Sequence, residues 1–196
     1  MFLLVDTLSE PCYIALFDAE RNIISEYTWE GKQKEFDSLV ETIDAFVTRN
    51  NYAYKNLSGI AVVVGPGGFT GTRVTTLVIN TLGYSFDIPL FPLTVSDIFS
   101  LQNAPIPWIT PVTKKEVLIW EDTESTYFKI LPLIDLPAGT YTSITSIDLP
   151  TPNHTLNKVD NYKMVIERIN LSTPSKRVKP LYAKDPNITL SPTPYA

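Results

Sequence analysis

The sequence holds little with which to do metal or thiol chemistry: among its 196 residues there is one histidine and one cysteine. His154, in the polar stretch TPNHTLN, cannot build a His/Cys metal set alone, and no Ser-His-Asp arrangement is suggested. No catalytic residue, metal or cofactor is therefore expected. Cys12 excludes an internal disulfide and fits a reducing cytosol. Its apolar strand context predicts an inert buried thiol. No apolar run reaches the ~18 residues of a membrane span, and in the opening MFLLVDTLSE the charge of Asp6 cuts the hydrophobic run short. A cytoplasmic protein without membrane contact is expected. Cations are scarce too. Residues 1–100 carry six Lys/Arg against twelve Asp/Glu, the wrong sign for neutralising phosphates. The one basic cluster, KRVKPLYAK from Lys176 to Lys184, is short and reads as a solvated loop.

What is present is pattern. Residues 2–6, 12–17 and 22–28 predict three strands joined by tight turns at LSEP and DAERN. The period then changes: Phe36, Leu39, Val40, Ile43, Phe46 and Val47 share one helical face, with Asp37, Glu41, Asp44 and Arg49 opposite. The apolar run 59–64 predicts a strand covered on both faces. A glycine loop, a helix over 71–86, a strand at 88–93 and a short helix from VSDIFSLQ follow. Three meandering strands, then helix, strand, helix, strand, predict a mixed α/β sheet with crossover helices. Beyond residue 104 the texture shifts, since twelve of the sixteen prolines lie there. Long helices are disfavoured, and the runs WITPV, EVLIWED, TYFKILPLI, YTSITSI and YKMVIERI predict a small, mostly β second lobe. The expected division is 1–101 and 102–196.

The glycine loop, Gly65-Pro66-Gly67-Gly68-Phe69-Thr70-Gly71, separates a strand from a helix, a geometry that suits an anion-binding turn. Its details fit neither nucleotide motif. Gly71 is followed by Thr72 and Arg73 rather than Lys and Ser/Thr, and the dinucleotide spacing lacks its last glycine. The alternative is structural: glycines for a sharp turn and close packing, with Thr70 as N-cap. Between Lys55 and Asp87 the only charged side chain is Arg73. A helix with no charged outer face is either sandwiched in its own domain or covered by a partner. Near the start of the helix Arg73 opposes the dipole, so a carboxylate or carbonyl partner is expected for it. Asp6 is expected to be a strand-end hydrogen-bond acceptor, with ligand contact the lesser reading.

The opening LLVDTLSEPCYIALFD and the loop VVVGPGGFTGTRV resemble the TsaB (YeaZ) family of bacterial tRNA-modification proteins, whose signature runs Gly-Pro-Gly-Ser-Phe-Thr-Gly-Leu-Arg. PVTKKEVLIWE and KPLYAKDPNIT are weaker echoes of later family segments. The likeness is close over 1–101 and thin beyond; Gly68 replaces serine, Thr72 leucine, and Lys184 stands for arginine. The resemblance implies a degenerate actin-like (ASKHA, ribonuclease H-like) N-terminal lobe. It further implies a noncatalytic scaffold that docks the catalytic subunit TsaD, which forms N6-threonylcarbamoyladenosine (t6A) in tRNA, with the ATPase TsaE joining. Contact with tRNA would be indirect, and a homodimer would form when the protein is alone. Docking is assigned to helices at 34–51 and 71–86, with Leu39, Ile43, Phe46, Thr72, Thr76, Ile79 and Gly83 at the interface. On the helix at 71–86 the smaller face is given to the partner, and the face of Val74, Leu77, Val78 and Leu82 to the sheet. The competing reading is a small actin-like phosphotransferase or ATPase using the loop.

Overall fold

The computed structural model describes residues 1–30, 38–122 and 128–184. Its first sheet follows the predicted strands closely. β1 (Phe2–Asp6), β2 (Cys12–Phe17) and β3 (Ile23–Trp29) form an antiparallel meander. β4 (Gly59–Val63) pairs parallel to β1, and β5 (Leu90–Leu93) parallel to β4, giving the order β3-β2-β1-β4-β5. The strands that cross over are apolar on both faces because both faces are covered. Leu3, Val5, Ile14, Leu16, Ile60 and Val62 meet α1 (Leu39–Arg49) and α2 (Phe69–Phe86) on one side. Leu4, Ala15, Phe17, Ala61 and Val63 face a second core shared with the rest of the chain on the other.

α3 (Val95–Leu101) is closed by a capping box in which Thr94 and Asp97 bond each other's backbone N–H. The second sheet follows: β6 (Trp108–Thr113), β7 (Glu116–Trp120), β8 (Lys129–Pro132), β9 (Gly139–Ser143) and β10 (His154–Lys158), in the order β10-β9-β6-β7-β8. Trp108 and Trp120 are buried against Phe99 of α3 and bring the two sheets into one core.

Two expectations for this half change. YKMVIERI is not a strand; it forms α4 (Tyr162–Arg168), capped by the Asn161 side chain accepting from the Met164 N–H. Tyr162, Val165, Ile166 and Ile169 are buried, a helical i, i+3, i+4, i+7 stripe that the β-branched residues in the run obscure. HTLNK, which begins in the polar stretch TPNHTLN and is not among the predicted β-like runs, is strand β10, paired in parallel with β9. His154 ties down its start, with Nδ1 2.7 Å from Thr151 Oγ1 and Nε2 2.9 Å from the Leu136 carbonyl.

After α4 the chain returns to the first sheet. Ser175 exchanges two backbone hydrogen bonds with Leu90 at the free edge of β5, at 2.9 and 2.7 Å. Val178 is buried in the core between sheet and α2. The Leu181 N–H donates to the Val64 carbonyl at 2.7 Å, and Tyr182 pairs with Gly67. The segment expected as a solvated basic loop is thus a strap across β5, α2 and the glycine loop.

Candidate docking helix, glycine loop and hairpin aspartate

The three features singled out in the sequence lie at the β1–β2 turn, at the loop after β4, and along α2. Asp6, at the end of β1, is fully buried. Its Oδ1 accepts from the Leu8 N–H at 2.7 Å and the Ser9 N–H at 3.1 Å. Its Oδ2 accepts from the Ser9 hydroxyl at 2.6 Å and the Tyr162 hydroxyl at 2.5 Å. A carboxylate has about four acceptor sites, so its capacity is met inside the chain. The strand-end acceptor reading of Asp6 agrees with this geometry.

Tyr162 reaches that carboxylate from α4, with its ring stacked on Tyr13 at 3.8 Å. Burial, and then the neighbouring Asp6 carboxylate, push its phenol far above the usual tyrosine range. The Tyr13 phenol is raised as well, by burial and by donating to Glu26 Oε2 at 2.6 Å. The space left beside this pair is a cleft of about 290 Å3, lined by Glu10, Tyr13, Glu26, Asp160 and Tyr162 among others. Small-molecule pockets run from roughly 300 to 1,000 Å3, and this one is acidic. Glu10 also ties the turn to the second sheet: its N–H donates to the Ile144 carbonyl at 2.9 Å, and its carboxylate accepts from the Ser146 N–H at 3.0 Å.

The glycine loop is held by the strap. Gly65 has φ +123°, a backbone region that disfavours any side chain, and a Cβ there would stand 2.1 Å from the Leu181 carbonyl oxygen. Gly65, Pro66 and Gly67 are buried, while Gly68 is exposed and a Cβ on it would meet nothing within 4 Å. Serine in the family signature at that point is sterically compatible with this backbone. Phe69 packs on Tyr182 of the strap, ring centroids 4.9 Å apart. The expected Thr70 N-cap is not formed. The helix begins at Phe69 with Gly68 as cap and no side-chain cap bond, and Thr70 is exposed in its first turn. Gly71 and Thr72 are buried at the start of α2, and the Thr72 hydroxyl donates to the Gly68 carbonyl at 2.9 Å.

Along α2 the expected assignment of faces does not hold: of the face given to the sheet Leu77 is exposed, while Val74, Val78 and Leu82 are half-buried against the core. Thr72, Thr76, Ile79 and Gly83, placed at a partner interface by the sequence reading, are buried against the chain's own sheet. The reason is steric. A Cβ at Gly83 would lie 2.9 Å from Leu90 Cδ2, so this helix approaches β5 closely only through a face of small residues. Thr75 joins that face, its hydroxyl bonded to that of Thr7 at 2.6 Å. The large side chains point outward: Leu77 is 65% exposed, Tyr84 90%, Phe86 43% and Phe69 40%. On α1 the same correction holds. Leu39, Ile43 and Phe46 form its buried stripe, and Val40 is 51% exposed on the outer side. Phe36, expected on the same face, lies outside the described residues. Arg73 is exposed; its carbonyl accepts from the Thr76 hydroxyl at 3.1 Å, but its guanidinium meets no carboxylate or carbonyl partner among the described residues. Among the described residues no group of three or more His, Cys, Asp or Glu is placed to hold a metal ion, and no helix is long and apolar enough to cross a membrane. Cys12 is buried, its Sγ directed at the Thr7 carbonyl.

A five-stranded mixed sheet with an antiparallel β1–β2–β3 meander, parallel β1, β4 and β5, and α1 and α2 on one side is an actin-like (ASKHA-type) α/β lobe. Two solved structures share the arrangement. YeaZ from Pseudomonas aeruginosa superposes with a TM-score of 0.58 at 14% identity, over 85% of this chain and 89% of its own. A protein described as uncharacterized, with similarity to peptidase YEAZ from Pseudomonas aeruginosa, gives 0.60 at 16%, over 85% and 88%. The family model for TsaD, tRNA N6-adenosine threonylcarbamoyltransferase, matches residues 23–105. Among curated proteins, the tRNA threonylcarbamoyladenosine biosynthesis protein TsaB of Bacillus subtilis is 32% identical over 88 residues, 45% of this chain and 38% of that protein. TsaB of Haemophilus influenzae is 28% identical over 92 residues, 46% of this chain and 38% of that protein. TsaB of Buchnera aphidicola is 25% identical over 119 residues, 61% and 53% respectively. In sequence the chain is similar to TsaB proteins, and in fold to YeaZ. The matched stretch spans well under half of the first two of these relatives.

Proposed function

We propose that the chain is a noncatalytic subunit in the biosynthesis of tRNA threonylcarbamoyladenosine. In this reading it docks a TsaD-like catalytic subunit through the outer faces of α1 and α2, with a TsaE-like ATPase joining the assembly in the cytoplasm. The observation that carries the docking is the exposed face of α2. Leu77 and Tyr84, two turns apart on one face, stand in solvent on a helix whose only charged side chain is Arg73, and the centres of protein interfaces are depleted of charge and rich in aromatics. The match of residues 23–105 to the TsaD family model adds a second support. Two chains with related lobes offer related faces, so the same helices suit a pseudo-symmetric pairing, or a symmetric one between two copies. With a net charge of −5, direct tRNA binding by this subunit is disfavoured.

A phosphotransferase or ATPase reading of the glycine loop finds less support. The loop is held by the strap, and the Asp6 carboxylate accepts only from the chain's own donors. The test is a titration of the purified TsaD-like subunit from the same cell against the parent chain and Leu77→Lys, beside calorimetry with ATP. Saturable binding that Leu77→Lys abolishes, without heat from ATP, is the expected result. Unchanged binding by Leu77→Lys, or tight ATP binding by the isolated chain, would overturn the reading.

A further inference from the structure

The strap is bound to α2 by an unusual clamp. The Asn80 side chain donates to the Val178 carbonyl at 2.9 Å and accepts from the Val178 N–H at 2.9 Å, so one amide satisfies both backbone groups of a residue 98 positions away. From there the strap runs to Leu181, whose N–H bonds Val64, and to Tyr182, whose ring lies on Phe69 in the first turn of α2. Phe69 and Leu181 are 40% and 38% exposed. The end of the strap is tied to β7 by the ion pair of Lys184 with Glu116 at 2.6 Å. A loop that only needed covering would require the Leu181–Val64 bond. The extra contacts place an aromatic and an aliphatic side chain beside the N-terminal end of the exposed stripe of α2.

We propose that the strap is part of the docking surface and that Asn80 is the residue that positions it. The surface then runs from Tyr84 and Leu77 on α2 to the Phe69–Tyr182 pair, with Arg73 on the helix and the exposed Lys176, Arg177 and Lys179 on the strap as its cations. It fits a partner face that is apolar at its centre and carries carboxylates opposite these cations. This inference rests on the docking reading given above, and its partner is the same TsaD-like subunit.

Four variants of the full chain test it: Asn80→Ala, Tyr182→Ala, Tyr182→Phe and Leu77→Lys. Asn80→Ala should speed hydrogen exchange at the Val178 and Leu181 amides by roughly tenfold, as expected for two lost hydrogen bonds, and leave β1 and β2 unchanged. Asn80→Ala and Tyr182→Ala should each raise the Kd for the TsaD-like subunit by roughly tenfold, as for loss of an anchoring contact. Tyr182→Phe should bind like the parent. If Leu77→Lys abolishes binding while Asn80→Ala and Tyr182→Ala bind normally, the strap lies outside the surface: this inference falls and docking through α2 stands. If Leu77→Lys binds normally, both fall. Unchanged exchange at Val178 and Leu181 in Asn80→Ala would refute the clamp itself.

Discussion

Replacing Ile79 with alanine and Leu77 with lysine should separate the two faces of α2 in a single experiment. Ile79 is fully buried between helix and sheet, and Leu77 is 65% exposed two residues away. Truncating a fully buried isoleucine removes its transfer free energy and leaves a cavity, for about 2–5 kcal/mol. For a chain of this length each kcal/mol moves Tm by about 2–4 °C. A central cost of ~3 kcal/mol therefore predicts a fall of roughly 6–12 °C for Ile79→Ala. Lysine at Leu77 leaves its charge in water, and surface substitutions of this kind stay within about 0.5 kcal/mol, or under roughly 2 °C. Thr76→Lys, which forces an unpaired charge into the buried face, should unfold the chain at ambient temperature, because such a charge costs several kcal/mol. The assay is far-UV circular dichroism melting on all three. If Leu77→Lys melts as low as Ile79→Ala, α2 has no free face and the assignment of its two sides is wrong.

Tyr162→Phe removes one donor from a buried carboxylate and should lower unfolding free energy by about 1–3 kcal/mol in urea titrations; no loss would mean that Asp6 does not depend on α4. Gly65→Val should displace the strap, since its Cβ would stand 2.1 Å from the Leu181 oxygen, whereas Gly68→Ala should melt like the parent. The Lys184 ammonium, with the Thr113 hydroxyl, holds the Glu116 carboxyl below the usual carboxylate range. Its folded pKa is depressed, so its contribution is present above the unfolded carboxylate range and lost as pH falls through the folded value. An NMR pH titration should show Lys184→Gln returning Glu116 toward its ordinary pKa. Finally, the isolated chain should dimerise as concentration rises, and Leu77→Lys should abolish this; sedimentation profiles that stay monomeric throughout would count against an exposed apolar face.

The strands and helices of the first sheet are legible in the sequence because each obeys a period that its burial enforces. β1 and β4 are apolar on both sides, and Leu39, Ile43, Phe46 and Val47 fall on one stripe of α1. The orientation of α2 is not legible by the same logic. Small residues let a helix approach either a sheet or another helix, and nothing local to Thr72, Thr76 and Gly83 says which. The answer lies in Leu90, whose side chain fills the space over Gly83, a contact made only by the fold. Similarly, the period of Tyr162, Val165, Ile166 and Ile169 is helical, but the short run between turn-forming residues also suits a strand. The strap is further from reach. Its polar partners, Leu90, Asn80 and Val64, are far away in sequence, and only Val178 among its apolar residues is fully buried.

The hairpin aspartate and the glycine loop share one physical feature. Each is a polar backbone or side-chain group at the end of a central strand, β1 or β4, where groups left without partners would need water or a ligand. In both places the partners come from the last part of the chain. Tyr162 supplies a donor to Asp6, and Leu181 and Tyr182 meet the loop at Val64 and Gly67. The second half of the sequence has the weaker family likeness, yet it provides the residues that complete both features. The physical reason is the cost of leaving either end open: a buried carboxylate or an open turn is costly unless paired, and the pairing residue need only place one hydroxyl, one N–H or one ring. Those requirements are light: Tyr162 at the start of α4 and Leu181–Tyr182 of the strap suffice to complete both ends.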